Sequence, residues 1–442
     1  MNESAGHESA GHEPSGHAPE LRLRVASPEL IALPWELPLA RWCAPDVPLR
    51  DVSVGQSRHL VKFVEADGAL WALKELSPGL AVSEYEVLVC LEKIGIKAVR
   101  PAGVVVQPAL GAAILVTRYL MGSWQYRRLF LRLPPNQPRQ RARLYDAMAS
   151  LMVDLHRHGV FWGDCSLANT LFSRDGQELQ AWFVDAETSI VYDTISDGQR
   201  AYDLDILVEN VAGGLIDLAA RLGRPPEIFP TLMEEAEGIR ARYEKLWEIL
   251  HAEPVFAFGD RYRVESTIRR LNELGFAVDE VFLAPPAGGD GVSGTAGLLQ
   301  LRLAVGDRRF YCDEIRRLTG LDVGEGQARS LLGDVRAYQA ALREETGEDV
   351  DMATAGQLWL REVAMPGMRL AHRAVDGRGS AVQAYCDLLE LRWLLSEQAG
   401  HDVGSAVALA ELARDHAPDG SAARLSIVDT PTQPLPVVEF DD

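Results

Sequence analysis

Hydrophobic positions change their spacing along this chain, and each change marks an element. Val54–Val64 is β-rich, and Ala69–Leu76 (ALWALKEL) reads as its hairpin partner across Ala66-Asp67-Gly68. Ser83–Ile94 (SEYEVLVCLEKI) puts Tyr85, Leu88 and Leu91 on one helical face, and Gly95 ends it. Two further apolar runs, Gly103–Val106 and Ala113–Tyr119, are separated by Pro108 and Gly111. The predicted order is strand, strand, helix, strand, strand. Gly122-Ser123 breaks this pattern, and helical spacing resumes over Pro138–His158. A strand pair, Thr170–Ser173 and Ala181–Val184, turns at Arg174-Asp175-Gly176, and helices are expected over Asp203–Leu222 and Pro230–His251.

The composition shifts near Pro254. Arg261–Leu274 is an amphipathic helix, Phe276–Leu283 and Leu298–Val305 are strands, and a Gly/Pro/Ser-rich loop joins the strands over Ala284–Gly297. Helices are expected over Cys312–Leu318, Glu325–Glu345, Met352–Val363 and Ala381–Ala399. The fold class is α+β, with a β-rich region over 21–121, a helical region over 122–253 and a separate α+β domain over 254–417. The ends read differently. ESAGH, ESAGH and EPSGH repeat over 3–17 and bring in His7, His12 and His17, while the last residues are Pro-rich and acidic. Residues 1–20 and 418–442 are expected to be disordered tails. A His-rich tract also binds metal in some chains.

Composition narrows the function classes. The net charge of −20 over 442 residues argues against a nucleic-acid partner. The longest apolar runs, such as Ala102–Val106 and Ala112–Val116, are strand-sized, so no membrane span is expected. The start has no basic segment followed by an apolar one, so no secretory signal is expected. Five scattered cysteines (Cys43, Cys90, Cys165, Cys312, Cys386) show no C-x-x-C spacing and point to a reducing, cytoplasmic setting. Only five of the 44 basic residues are lysines, which draws attention to where each lysine stands.

The chemistry concentrates in VFWGDCSLANTLFSRDGQELQAWFVDAE, residues 160–187. Asp164 stands five residues before Asn169, and Asp185 follows the apolar run Ala181–Val184. Phosphoryl transfer uses such a set: one carboxylate receives the acceptor hydroxyl's proton, while an amide and a second carboxylate hold magnesium on the nucleotide phosphates. Asp164 is therefore the candidate catalytic base, and Asn169 and Asp185 are the candidate metal ligands. Glu187 is either a further ligand or a solvated acid. Lys74, in the second strand between Leu73 and Leu76, is costly to bury unpaired. It is the candidate to reach the ATP phosphates, held by a helix carboxylate. Glu84 is the natural partner and Glu86 its competitor; the sequence does not settle which points inward. Gly55 and Ser57 lie where a phosphate-covering turn would expose its N–H groups, although a plain hairpin turn fits as well.

HRHGVFWGDCSLANTLF followed by FVDAE resembles the catalytic core of the bacterial lipopolysaccharide (Kdo) kinase and aminoglycoside-phosphotransferase branch of the protein-kinase-like fold. The whole chain also resembles a bacterial family of unknown function that fuses such a core to a C-terminal domain. The resemblance covers roughly residues 50–250. It implies a bilobal fold, ATP as donor, Mg²⁺ as cofactor and a hydroxyl acceptor on a small molecule, sugar or glycoconjugate. Three departures accompany it. Trp162 stands where the family has His, Asp185-Ala186-Glu187 replaces D-F-G or D-F-D, and the Gly-rich loop is nearly gone. They support an alternative: a nucleotide-binding pseudokinase whose C-terminal domain scaffolds a partner protein. In this fold class an Asp such as Asp203 caps the next helix and hydrogen-bonds the catalytic-loop backbone; an ordinary N-cap is the other reading. The C-terminal cluster Arg261, Arg263, Arg269 and Arg270 reads as a solvated helix face.

Overall fold

The structure is a computed structural model, and it describes residues 18–52, 58–126, 129, 138–257, 260–285 and 298–414. Gly55 and Ser57, the His repeats and the acidic end lie outside the described residues. The chain forms two compact units. One runs to Leu120 and includes Asp185–Ser189; the other comprises Met121–Val184 and the residues from Ile190.

The first unit is built on six antiparallel strands: β1 (Glu20–Leu23), β2 (Leu49–Arg50), β3 (Val61–Ala66), β4 (Ala69–Leu76), β5 (Pro101–Gln107) and β6 (Ala112–Arg118), in the order β1-β5-β6-β4-β3-β2. The β3–β4 turn places Asp67 at φ 48° and Gly68 at φ 69°, the left-handed pair that a two-residue hairpin requires. Strand alternation then sorts the side chains. Leu73, Trp71, Val64, Ile114 and Val116 join a buried core with Leu30, Trp35, Leu39 and Trp42. Lys74, one position from Leu73, turns to the opposite face. The helix α2 (Pro78–Lys93) starts five residues before the predicted Ser83, because Pro78 fits the first helical turn behind Ser77. The predicted strand from Val54 begins only at Val61 among the described residues. The segment holding Trp35 and Trp42 had no periodic signal; it is held in part by Gln107, which donates to the Trp35 and Leu37 carbonyls.

The second unit opens with β7 (Ser123–Gln125) and the helix α3 (Pro138–Arg157). The short pair β8 (Val160–Phe161) and β11 (Ile190–Val191) flanks a hairpin of β9 (Thr170–Asp175) and β10 (Glu178–Phe183), and β7 pairs with β9. Helices α4 (Asp197–Arg221) and α5 (Phe229–His251) pack together and α5 packs on α3, burying Leu204, Leu207, Val211, Leu232, Ile239 and Tyr243. The start of α4 corrects the sequence reading. Ser196 caps it reciprocally with Gln199, so Asp203 sits in the second turn rather than at the N-terminus.

Further along, β12 (Val255–Ala257), β13 (Phe276–Ala284) and β14 (Leu298–Arg308) form a sheet in the order β12-β14-β13, beside the helix α6 (Arg261–Glu273). Helices α7 (Phe310–Thr319), α8 (Glu325–Thr346), α9 (Met352–Trp359), α10 (Met365–Ala374), α11 (Ala381–Ala399) and α12 (Gly404–Ala413) surround a core containing Ile315, Leu331, Val335, Trp359, Tyr385 and Leu391. The helix expected to stop at Val363 instead runs through a π turn, Leu360–Ala364, into α10. No described helix is long and apolar enough to cross a membrane.

Candidate active site

Within the first unit, β4 delivers Lys74 to a carboxylate-lined position. Its ammonium lies 3.0 Å from Glu84 Oε2, 3.0 Å from Asp185 Oδ1 and 3.7 Å from Glu187 Oε2. Glu84 is 1% exposed on the inner face of α2 and also accepts the Ala186 N–H at 3.4 Å. Glu86 points outward toward Arg22, so the two helix glutamates are separated by which face each occupies. Glu187 contacts His59 Nε2 at 2.9 Å. Burial pushes the Glu84 carboxyl up to about 7, against the pull of the Lys74 charge. Burial works against the Lys74 ammonium, but the facing charges of Glu84 and Asp185 prevail and raise its pKa.

Within the second unit, the loop between β8 and β9 carries Asp164 and Asn169. Asn169 Nδ2 donates to the Asp164 carbonyl at 3.1 Å and to its Oδ2 at 3.2 Å. Asn210 Nδ2 donates to Asp164 Oδ1 at 3.2 Å and to the Cys165 carbonyl at 3.1 Å. The half-buried Asp164 carboxylate is thus oriented by one amide on each oxygen, while the Asn169 amide oxygen remains an acceptor. Asp203 fixes the loop from behind. It accepts the Trp162 N–H at 2.8 Å, the Gly163 N–H at 2.9 Å and the Cys165 thiol at 3.0 Å, and its Oδ2 lies 3.1 Å from His156 Nε2. Burial alone would raise the Asp203 pKa; these hydrogen bonds, led by His156, outweigh it and lower it. His156 in turn contacts the Tyr243 hydroxyl at 2.8 Å. Trp162 is fully buried and its ring lies 4.7 Å from that of Phe183. The bulky ring fills space, and its backbone N–H ties the loop to Asp203.

The sequence-derived candidates therefore gather in two sets, Lys74 with Glu84 and Asp185, and Asp164 with Asn169. Asn210 and His156 were not singled out. Asn210 had a usable signal: it stands seven residues after Asp203, two helical turns on the same face of α4. Asp205 faces solvent and pairs with Arg240. The Asp185 carboxylate and the Asn169 amide oxygen are hard oxygen donors. Among the described residues no three or more His, Cys, Asp or Glu are grouped to hold a metal by themselves. Magnesium commonly binds through one or two carboxylates together with phosphate oxygens, so the donor chemistry fits that ion.

Residues 67–219 match the Lipopolysaccharide kinase (Kdo/WaaP) family, and residues 245–416 match the Domain of unknown function (DUF4032). A solved structure described as "WaaP in complex with acyl carrier protein" is similar at 21% identity, covering 45% of this chain and 90% of that chain, with a TM-score of 0.31. No curated protein matches the chain. Two regions of the chain thus resemble known families: residues 67–219 match the lipopolysaccharide kinase (Kdo/WaaP) family, and residues 245–416, the DUF4032 region, match a domain of unknown function.

Proposed function

We propose that this protein is an ATP- and Mg²⁺-dependent phosphotransferase of the lipopolysaccharide-kinase-like type, acting on a hydroxyl of a small molecule, sugar or glycoconjugate. The observation that supports it most is the buried Glu84 carboxylate paired with Lys74. A helix glutamate 1% exposed is retained at high desolvation cost, and positioning a phosphate-binding lysine is a reason to retain it. In this reading Lys74 binds the α and β phosphates and Glu84 holds its ammonium in place. Asp164, aimed by Asn169 and Asn210, accepts the acceptor hydroxyl's proton as the oxygen attacks the γ-phosphorus. The electron pair of the breaking P–O bond leaves on ADP. Asn169 and Asp185 are the residues that would hold Mg²⁺, which would supply charge neutralisation on the transferring phosphates. Backbone contacts from Asp203 keep Asp164 from reorienting as the proton moves.

The scaffold alternative draws on Trp162, the D-A-E sequence and the poor Gly-rich loop. Asp203 and His156 weigh against it, because they brace the loop that Trp162 would otherwise disturb. Nucleotide binding and ATP turnover, measured with Mg²⁺ on wild type and Asp164→Ala over a panel of hydroxyl acceptors, separate the readings. The phosphotransferase loses turnover in the variant and keeps binding. Binding without turnover in the wild type across the panel would leave only the scaffold.

A further inference from the structure

The turn Arg174-Asp175-Gly176, which the sequence marks only as a turn, is gripped from three sides by the DUF4032 region. Arg174 donates through both terminal nitrogens to the two Asp387 oxygens at 2.9 and 2.5 Å, with side-chain exposures of 3% and 6%. Asp175 accepts the Gly326 and Gln327 N–H groups at 2.9 and 3.0 Å, so its carboxylate caps the first turn of α8. The residue at the N-cap of α8 is Gly324, which has no side chain to do this itself. Gly176 exchanges two 2.9 Å hydrogen bonds with the Gln383 amide. Gln383 also reaches Asp387 at 2.9 Å and receives the Gln327 amide at 3.0 Å. Gly176 has φ +62°, and a Cβ there would lie 2.5 Å from the Gly326 carbonyl oxygen.

This grip sits at one end of an unbroken antiparallel ladder. Six residue pairs link β9 and β10, from Asp175↔Glu178 at the turn to Thr170↔Phe183 at the far end. Asn169 immediately precedes the far end, and Val184, the last residue before Asp185, donates to the Asn169 carbonyl at 3.3 Å. The same hairpin pairs with β7 through Ser123↔Ser173 and Gln125↔Leu171. A paired ladder is stiff along its length, so whatever fixes the turn also fixes the residues that enter and leave the hairpin.

We infer that the DUF4032 region is a positioning domain for the phosphotransfer site, holding Asn169 and the strand end before Asp185 through Arg174, Asp175 and Gly176. Arg174, Asp387 and Gln383 are positioning residues and touch no reacting atom. The catalytic consequence rests on the phosphotransferase reading; the mechanical coupling does not.

The test uses the full chain with Asp387→Asn, Arg174→Lys, the reversed pair Arg174→Asp/Asp387→Arg, and Arg392→Gln as a control. Arg392 pairs with Asp402 on the exposed surface of the same helical region. Hydrogen exchange of peptides spanning 160–184 is measured without nucleotide, and the Mg²⁺ dependence of ATP binding is measured by titration. Asp387→Asn and Arg174→Lys are expected to speed exchange in 160–184 at least tenfold. They are also expected to raise the Mg²⁺ concentration needed for half-maximal ATP binding by about tenfold, while ATP affinity without Mg²⁺ stays within twofold. The reversed pair recovers part of both effects, and Arg392→Gln changes neither. Wild-type exchange in 160–184 for a folded Asp387→Asn and a folded Arg174→Lys would overturn the positioning role. Faster exchange without the Mg²⁺ effect would overturn its catalytic part alone. No Mg²⁺-dependent ATP binding in wild type would instead overturn the phosphotransferase reading and leave the exchange result to decide the coupling.

Discussion

In the proposed phosphotransfer Asp164 is the residue on which the chemistry turns, and its surroundings set what its neighbours do. Asn210 donates to Asp164 Oδ1 and to the Cys165 carbonyl. Asn210→Ala should therefore lower the turnover number about tenfold and leave ATP affinity nearly unchanged. Steady-state kinetics with a parallel nucleotide titration checks this split. Lys74→Ala should act differently and weaken ATP binding itself.

Glu84 supplies a pH prediction. An acid whose folded pKa is raised binds its proton more readily in the folded state, so its contribution to stability falls as pH rises from the unfolded value, 4.5, to about 7. The difference in stability between wild type and Glu84→Gln should shift against wild type across that window. Chemical denaturation of both proteins from about pH 4.5 to about pH 8 measures it. Asp203 works in the opposite sense. Its pKa is lowered, so the stability it contributes is present above 3.8 and is lost as pH falls through its folded value. Asp203→Ala removes the acceptor of one buried and one partly buried backbone N–H and the partner of His156; it should cost about 3–5 kcal/mol by denaturant unfolding.

At the scale of elements, the hairpin and the helices were legible where a period was sustained. The β3–β4 turn followed from Asp-Gly between two apolar runs, and Lys74 among apolar strand residues implied a carboxylate partner, which Glu84 supplies. Glu84 against Glu86 was not legible, because residues two apart on a helix both flank the apolar face; only the packing of α2 decides. The true start of α4 was hidden, since Asp197–Tyr202 is polar at the positions where an apolar stripe would announce a helix. The signal there is the cap itself, Ser196 with Gln199 three residues on. Ser196→Ala should destabilise the protein by about 1 kcal/mol in equilibrium unfolding, with smaller effects on turnover than Asn210→Ala. Asn210 escaped notice because an amide carries no charge pattern, although it repeats the position of Asp203 two turns later.

For the whole molecule, what the sequence could not carry is long-range pairing. Arg174 and Asp387 are 213 residues apart, and nothing local in either segment points to the other. The alternative of a scaffold arose from local departures, Trp162 and Ala186, each of which takes a packed place here: Trp162 against Phe183, and the Ala186 N–H on Glu84. The net charge of −20 acts at this scale too. It disfavours polyanionic acceptors unless a local cationic face offsets it, and it makes binding of ATP without a divalent cation the weaker event.

The most direct test of the phosphotransferase account is the initial rate of γ-phosphoryl transfer from labelled ATP, at saturating Mg²⁺-ATP, for wild type and Asp164→Asn with the same hydroxyl acceptor. The account predicts transfer by wild type that falls at least about 100-fold in Asp164→Asn, with ATP affinity held within about twofold. Equal rates in the two proteins, or a wild type that binds Mg²⁺-ATP and transfers nothing to any acceptor tried, would contradict it.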